Sequence, residues 1–165
     1  MVQENNIQSN FQVKRPKFVA DTNLGRLAKW LRILGYDAVF YKDVSIFTLS
    51  RIANSENRIF LTRSQKITNR KLFDHVRLIK CDYVFDQLQE LQCLITDDEE
   101  YLLTRCSICN KLLYEVEKQK LESLVPTYVY QTNVQFKICR ACGKIYWSGT
   151  HNEEIKKKLK EVFST

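Results

Sequence analysis

Four of the six cysteines fall into two C-x-x-C pairs, Cys106-Ser-Ile-Cys109 and Cys139-Arg-Ala-Cys142. A turn of that spacing aims both sulfurs at one point, and two such turns complete the tetrahedron that zinc prefers with thiolates. Four protein ligands leave no open coordination position, so zinc held there is structural; the competing reading is two buried or redox pairs. Gly143 follows the second pair, where a positive φ is often needed. The aromatic-rich stretch between the pairs, Val125 to Phe136, reads as strand-like, which makes the region a small zinc ribbon. So short a region buries little core, and metal binding then supplies folding free energy of order ~10 kcal/mol. Cys81 and Cys93 lie outside the pattern and read as core residues.

A second set of residues sits just after predicted strands. Asp21 ends Lys17–Ala20, Asp43 follows residues 37–41, Thr62-Arg63-Ser64 closes 58–62, and Cys81-Asp82 follows 76–79. In open parallel sheets ligands bind beyond the C-terminal ends of the strands. Carboxylates gathered there hold Mg²⁺ or Mn²⁺ and activate water for phosphodiester cleavage, and Arg63 is placed to hold a phosphate. Each of these residues also has a plainer role. Asp21 suits a helix cap in Asp21-Thr22-Asn23, Asp43 a surface loop, Ser64 a helix N-cap, and Asp82 or Asp86 a cap or first-turn acid.

The elements that position them alternate. Strands are expected at 17–20, 37–41, 58–62 and 76–79. A helix over 24–34 gathers Leu24, Leu27, Ala28, Leu31 and Leu34 on one face and stops at Gly35. Further helices are expected at 46–53, from Ser64 to Phe73, and around Val84, Leu88, Leu91 and Leu94. Strand–helix alternation implies a mostly parallel α/β sheet with helices on both faces. The acidic run Thr96 to Glu100 marks a boundary. The organisation expected is a flexible leader over 1–16, an α/β domain over 17–96, and a zinc ribbon with a terminal helix over 97–165. That last helix, about Asn152 to Phe163, packs through Ile155, Leu159 and Val162.

Lys and Arg number 26 against 19 acids, a net charge of +7, and the balance stays basic once four thiolates and a zinc are counted. A polyanion such as nucleic acid is the partner this favours. Arg26, Lys29 and Arg32 lie opposite the leucine face of the first helix, with Trp30 and Ile33 on that outer side. Two roles are open for Trp30: packing under the ribbon, or forming with Arg26 and Lys29 a patch that stacks bases and binds phosphates. The ribbon adds Arg105, Lys111, Lys137, Arg140 and Lys144. No run approaches the ~20 apolar residues of a membrane span. The Asn- and Gln-rich start is unlike a secretory signal, and the metal-ligand spacing of the cysteines fits a reducing compartment, the cytoplasm.

Several motifs together resemble the Mut-seven C-terminal ribonuclease family. They are Phe18-Val19-Ala20-Asp21, Leu24-Gly25-Arg26-Leu27-Ala28-Lys29-Trp30-Leu31-Arg32, Leu34-Gly35-Tyr36-Asp37, Leu61-Thr62-Arg63 and Asp86-Gln87-Leu88. Arg105-Cys106-x-x-Cys109-Asn110 and the run from Cys139 through Tyr146-Trp147-x-Gly149-Thr150-His151 complete the set. The resemblance spans Lys17 to His151. It implies a PIN-like nuclease fold with a zinc ribbon behind it, RNA as partner, and metal-dependent ribonuclease chemistry. Asp21 corresponds to the first metal-binding aspartate and Asp43 to an acid after the second strand. The family pattern continues with acids where this chain has Val44-Ser45-Ile46-Phe47, and has Thr-Arg-Asp where this chain has Thr62-Arg63-Ser64. A serine hydroxyl is a weak Mg²⁺ ligand, so at least one central acid is missing. Three functions remain in view: a metal-dependent endoribonuclease, a non-catalytic RNA-binding module, and a protein-interaction adaptor built on the ribbon and the basic tail helix. His151 ends a family motif with helix entry, packing and catalysis all open to it.

Overall fold

The computed structural model describes residues 15–164. The leader assigned to residues 1–16 lies outside them except for Arg15 and Pro16. Four parallel strands form one sheet: β1 (Lys17–Ala20), β2 (Ala38–Phe40), β3 (Arg58–Thr62) and β4 (Val76–Leu78), in the order β2-β1-β3-β4. β1 pairs with β2 through Phe18–Ala38 and with β3 through Phe18–Ile59. Helices α1 (Gly25–Ile33), α2 (Ile46–Ser55), α3 (Gln65–Thr68) and α4 (Val84–Glu90) connect or follow the strands, with a 3₁₀ turn over Thr22–Leu24 leading into α1.

The period-2 alternation of the strands splits the core into two layers. Phe18, Ala20 and Leu61 face α1 and α4, where Leu24, Leu27, Leu31, Leu88 and Leu91 are buried. Val19 and Phe60 face the other way, against Leu49 and Ala53 of α2. Central β1 is therefore covered on both faces, and its Phe18, Val19 and Ala20 are wholly inaccessible.

A second sheet has three antiparallel strands, β5 (Tyr114–Val116), β6 (Phe136–Ile138) and β7 (Ile145–Trp147); Cys139 and Cys142 sit in its β6–β7 connection, and Cys106 and Cys109 in a turn before β5 flanked by the Arg105–Leu112 bridge. The last helix, α6 (Thr150–Phe163), turns back onto the first unit. Its Ile155, Leu159 and Val162 join the α1 and α4 side of the core, as their spacing predicts for a packing face. The acidic stretch before the ribbon is also tied down: Thr96 N donates to the Tyr36 hydroxyl (2.7 Å) and Leu103 N to Ile33 O (2.8 Å).

Three local expectations change. The helix expected from Ser64 to Phe73 is one turn, α3. Beyond it, Asn54 donates from Nδ2 to Leu72 O and accepts at Oδ1 from Asp74 N, both at 3.1 Å, which holds that segment out of helical geometry. Phe73 thereby stacks on Phe60 with ring centroids 3.9 Å apart. Val125–Phe136 is not strand-like. A helix α5 (Thr127–Thr132) occupies its middle, starting just after Pro126, and Leu121, Val125 and Val129 at helical spacing pack with Phe136 in a small core of their own. Cys93, expected in the core, is exposed in the turn after α4, while Cys81 is half-buried.

Candidate functional site

The two C-x-x-C turns have the same backbone construction. Asn110 N donates to Cys106 O and Gly143 N to Cys139 O, at 3.0 and 2.8 Å; Cys106 N and Cys139 N donate to Lys111 O and Lys144 O. The residue after each second cysteine is left-handed: Gly143 at φ 72° as its type predicts, and Asn110 at φ 65°. Asn is among the few side chains that accept this conformation. The four sulfurs lie within 4.8 Å of one another. Two of the pairs, Cys109–Cys139 at 3.3 Å and Cys106–Cys142 at 3.6 Å, are far beyond a disulfide bond and near the ~3.8 Å edge of a tetrahedron with ~2.3 Å zinc–sulfur bonds. The cluster can therefore hold one metal ion such as zinc.

The surroundings favour thiolate at Cys106. Burial pushes the Cys106 thiol up, but the Tyr146 hydroxyl and the backbone N–H groups of its own turn bring it down to about 6. Burial, then the Cys106 sulfur, push Tyr146 up to about 12, so its hydroxyl stays protonated and donates to Cys106 Sγ at 3.2 Å. Burial and the neighbouring sulfurs push Cys109 up to about 12. The opposite shifts of two cysteines in one turn express the mutual repulsion of neighbouring thiolates, which a bound cation would relieve.

Arg32 requires a correction. It was expected on the outer face as an RNA contact, yet it is only 7% exposed. Its Nε donates to Ala38 O (2.7 Å) and its NH1 to Ser107 O (3.2 Å) and Ile108 O (2.6 Å), so it clamps the first cysteine turn to β2. Burial lowers its pKa, and the Cys106 and Cys109 sulfurs oppose that shift. A leucine-face wheel cannot reveal this, because the element that covers Arg32 lies 75 residues away. Ile33, also expected outward, is buried as well. Arg105, counted among the ribbon's free cations, instead donates to Gly35 O (3.3 Å) and Asn110 O (2.9 Å).

At the opposite, C-terminal edge of the sheet, Asp21 is half-buried at the end of the central strand. It caps the 3₁₀ turn, as its plainer reading predicts: Oδ1 accepts from Thr22 N at 2.7 Å. Oδ2 accepts from Thr62 Oγ1, also at 2.7 Å, and that same Thr62 oxygen accepts from Ser64 N at 3.1 Å. Thr62, which the sequence did not single out as a site residue, is thus the group that orients the Asp21 carboxylate. Ser64 stands at the N-cap position of α3 without a side-chain capping bond. Arg63 pairs with Asp82 across the end of the sheet, both exposed. Asp43 is exposed in the loop after β2. Among the described residues the four cysteines are the one group of three or more His, Cys, Asp or Glu close enough to share an ion; the edge acids do not converge in this way. Arg26 and Lys29 are exposed on α1, and Trp30 is half-buried, edge-on to Phe85 of α4 with centroids 4.9 Å apart. The side chain of His151 lies outside the described residues.

No helix among the described residues is long and apolar enough to cross a membrane. No curated protein and no solved structure matches the chain. Residues 16–159 do match the family described as the Mut7-C RNAse domain, from the first strand through most of the last helix, and on that coverage the chain belongs to this family.

Proposed function

We propose that the protein is an RNA-binding, metal-dependent endoribonuclease with a reduced acidic site at the C-terminal edge of its parallel sheet, and that its four cysteines hold a structural zinc. The observation that carries the first part is Asp21. It is a half-buried carboxylate at the end of the central strand, with both oxygens oriented by Thr22 and Thr62. Mg²⁺ sites are commonly built from one or two carboxylates completed by substrate phosphates. Asp21, with Asp43 nearby in sequence order along the same edge, fits that pattern and does not fit a self-sufficient cage of several acids. An ion held there together with RNA phosphate would supply activated water for the phosphodiester.

The chain's own residues do the rest. Thr62 keeps Oδ2 of Asp21 fixed by its hydroxyl. Arg63 is tied only by an exposed ion pair, an interaction worth little in water, so it can exchange Asp82 for a phosphate. Arg26 and Lys29 bring positive charge toward the backbone of the bound strand. Full-length protein with Mn²⁺ is expected to cleave a mixture of single-stranded and structured RNA, and Asp21→Asn to lose that cleavage while still binding. Equal cleavage by both proteins would remove Asp21 from the chemistry and sink the proposal.

Ser64 favours a second reading. With a neutral hydroxyl in the third-strand motif and no trio of acids among the described residues, the domain binds RNA without cutting it. Salt-dependent binding with no cleavage at any Mn²⁺ concentration distinguishes this reading from the first.

A further inference from the structure

Both tryptophans of the chain, Trp30 on α1 and Trp147 on β7, line one cleft between α1 and the ribbon. Its volume is about 290 Å³, and Lys29, Lys144 and Tyr146 share its walls. The aromatic walls are fixed. Trp30 is braced edge-on by Phe85. Tyr146 is anchored by its hydroxyl to Cys106 Sγ and Ser107 N, at 3.2 and 3.1 Å. The Trp147 indole lies against Gly149, whose added Cβ would sit 3.5 Å from Cδ1 and Nε1, and Asn152 Nδ2 donates to Trp147 O at 2.9 Å. Trp147 remains 37% exposed.

Among the described residues that line this cleft, the charged ones are Lys29 and Lys144, while Glu99 and Glu153 line the adjoining cleft on the far side of Tyr146 and Trp147. Lys144 Nζ lies 5.5 Å from the centre of the Tyr146 ring, and neither Lys29 nor Lys144 has a carboxylate partner among the described residues. Flat aromatic faces flanked by uncompensated ammonium groups suit an unpaired base and its neighbouring phosphates. The volume falls at the small end of ligand pockets, which run from ~300 Å³ upward, and so suits one base rather than a large cofactor. The cleft is also connected to the sheet edge. Arg26, Lys29, Trp30 and Ile33 share one face of α1 at i, i+3, i+4 and i+7 spacing. Gly25, where α1 starts just past the sheet edge, to Lys29 covers about 6 Å at ~1.5 Å per residue, roughly the length of two stacked nucleotides at ~3.4 Å each.

We infer that this cleft is a base-binding subsite for single-stranded RNA, in which one unpaired base stacks on Trp147 while Lys29 and Lys144 hold the flanking phosphates. The inference rests on the RNA reading above. It adds residues of the ribbon to the binding surface and assigns the ribbon a role in gripping the strand.

Because no tryptophan lies elsewhere, intrinsic tryptophan emission reports on this cleft alone. The experiment titrates the full chain with a labelled single-stranded oligoribonucleotide, following anisotropy of the label and tryptophan emission together, with inorganic polyphosphate as a base-free polyanion. RNA is expected to quench the emission in step with anisotropy, and polyphosphate to bind without quenching. Trp147→Ala, checked for bound metal and circular dichroism, is expected to bind RNA about 5- to 150-fold more weakly, the range of ~1–3 kcal/mol for one stacked base. Trp147→Phe retains a stacking face and is expected to stay close to wild type. RNA that raises anisotropy without altering tryptophan emission would overturn the subsite and leave the RNA reading standing. RNA that does not bind at all, even at low salt, would overturn both. The wild-type emission titration decides the matter even where Trp147→Ala fails to fold.

Discussion

Asn110 reaches across from the ribbon to grip Asp37, 73 residues earlier. Its Nδ2 donates to Asp37 Oδ1 at 2.7 Å, while its Oδ1 accepts from Ala38 N at 3.0 Å. The same Asp37 carboxylate takes two bonds from Arg58, at 2.7 and 3.2 Å, and Arg58 is 5% exposed and also bound to Glu56. One short polar chain thus runs from the cysteine turn through β2 to β3. It lies at the N-terminal edge of the sheet, away from Asp21. The ribbon is docked on the α/β unit by hydrogen bonds to specific backbone atoms as well as by apolar packing.

Asn110→Gly retains a residue suited to φ 65° and removes only the side-chain bonds. It leaves Ala38 N without a partner and removes one of the two bonds to Asp37 Oδ1, which keeps Arg58, at a cost of about 1–3 kcal/mol. Asn110→Ala adds the strain of a left-handed alanine, of order 1 kcal/mol. Urea unfolding of both variants checks the order expected: wild type, then Gly, then Ala.

The Asp37 carboxyl titrates below its ordinary value of 3.8. Burial opposes this, but the bonds from Arg58 and Asn110 outweigh it. A carboxylate with a depressed native pKa stabilises the fold fully above its unfolded pKa and loses that contribution as pH falls through the native one. The stability gap between wild type and Asp37→Asn is therefore expected to be constant from pH 7 to about 5 and to shrink below about 4. Urea midpoints measured across this range check it; a gap that widens on acidification would contradict the assignment.

Arg32 and Lys29 are three residues apart and are expected to behave in opposite ways. Arg32→Gln leaves carbonyls of Ala38, Ser107 or Ile108 unsatisfied and is expected to lower stability by about 2–3 kcal/mol, with the salt dependence of RNA binding unaltered. Lys29→Gln is expected to leave stability within about 0.5 kcal/mol and to reduce the slope of log K against log salt by about 1. Paired unfolding curves and salt titrations separate the two roles.

Zinc removal is expected to act first on the ribbon. Metal analysis should return one zinc per chain, and a strong chelator should unfold the region around β5, β6 and β7, because so small a unit depends on its metal for folding energy. Cys142→Ser, at an exposed ligand position, is expected to weaken zinc retention and raise Trp147 mobility. Time-resolved tryptophan anisotropy with and without chelator is the check, and an unaltered ribbon after complete metal loss would remove the structural role.

Local sequence spacing settled the strands, the alternation that buries β1 on both faces, the leucine face of α1 and the C-x-x-C turns with Gly143 at positive φ. All of these depend on residues within one or two turns of each other, where period and backbone sterics suffice. The motifs around Gly35 and Asp37 were visible as motifs, but their reason was not. A Cβ at Gly35 would meet Tyr101 O at 2.3 Å, and Asp37 is occupied by Arg58 and Asn110. Only the tertiary structure turned Arg32 inward, ended α3 after one turn for the sake of Phe73, made Thr62 the partner of Asp21, and put Trp147 and Trp30 on the walls of one cleft. Spacing along a chain fixes which side chains share a face. Which distant backbone supplies their hydrogen-bond partners, and which surface covers them, follows from the long-range packing that removes both from water.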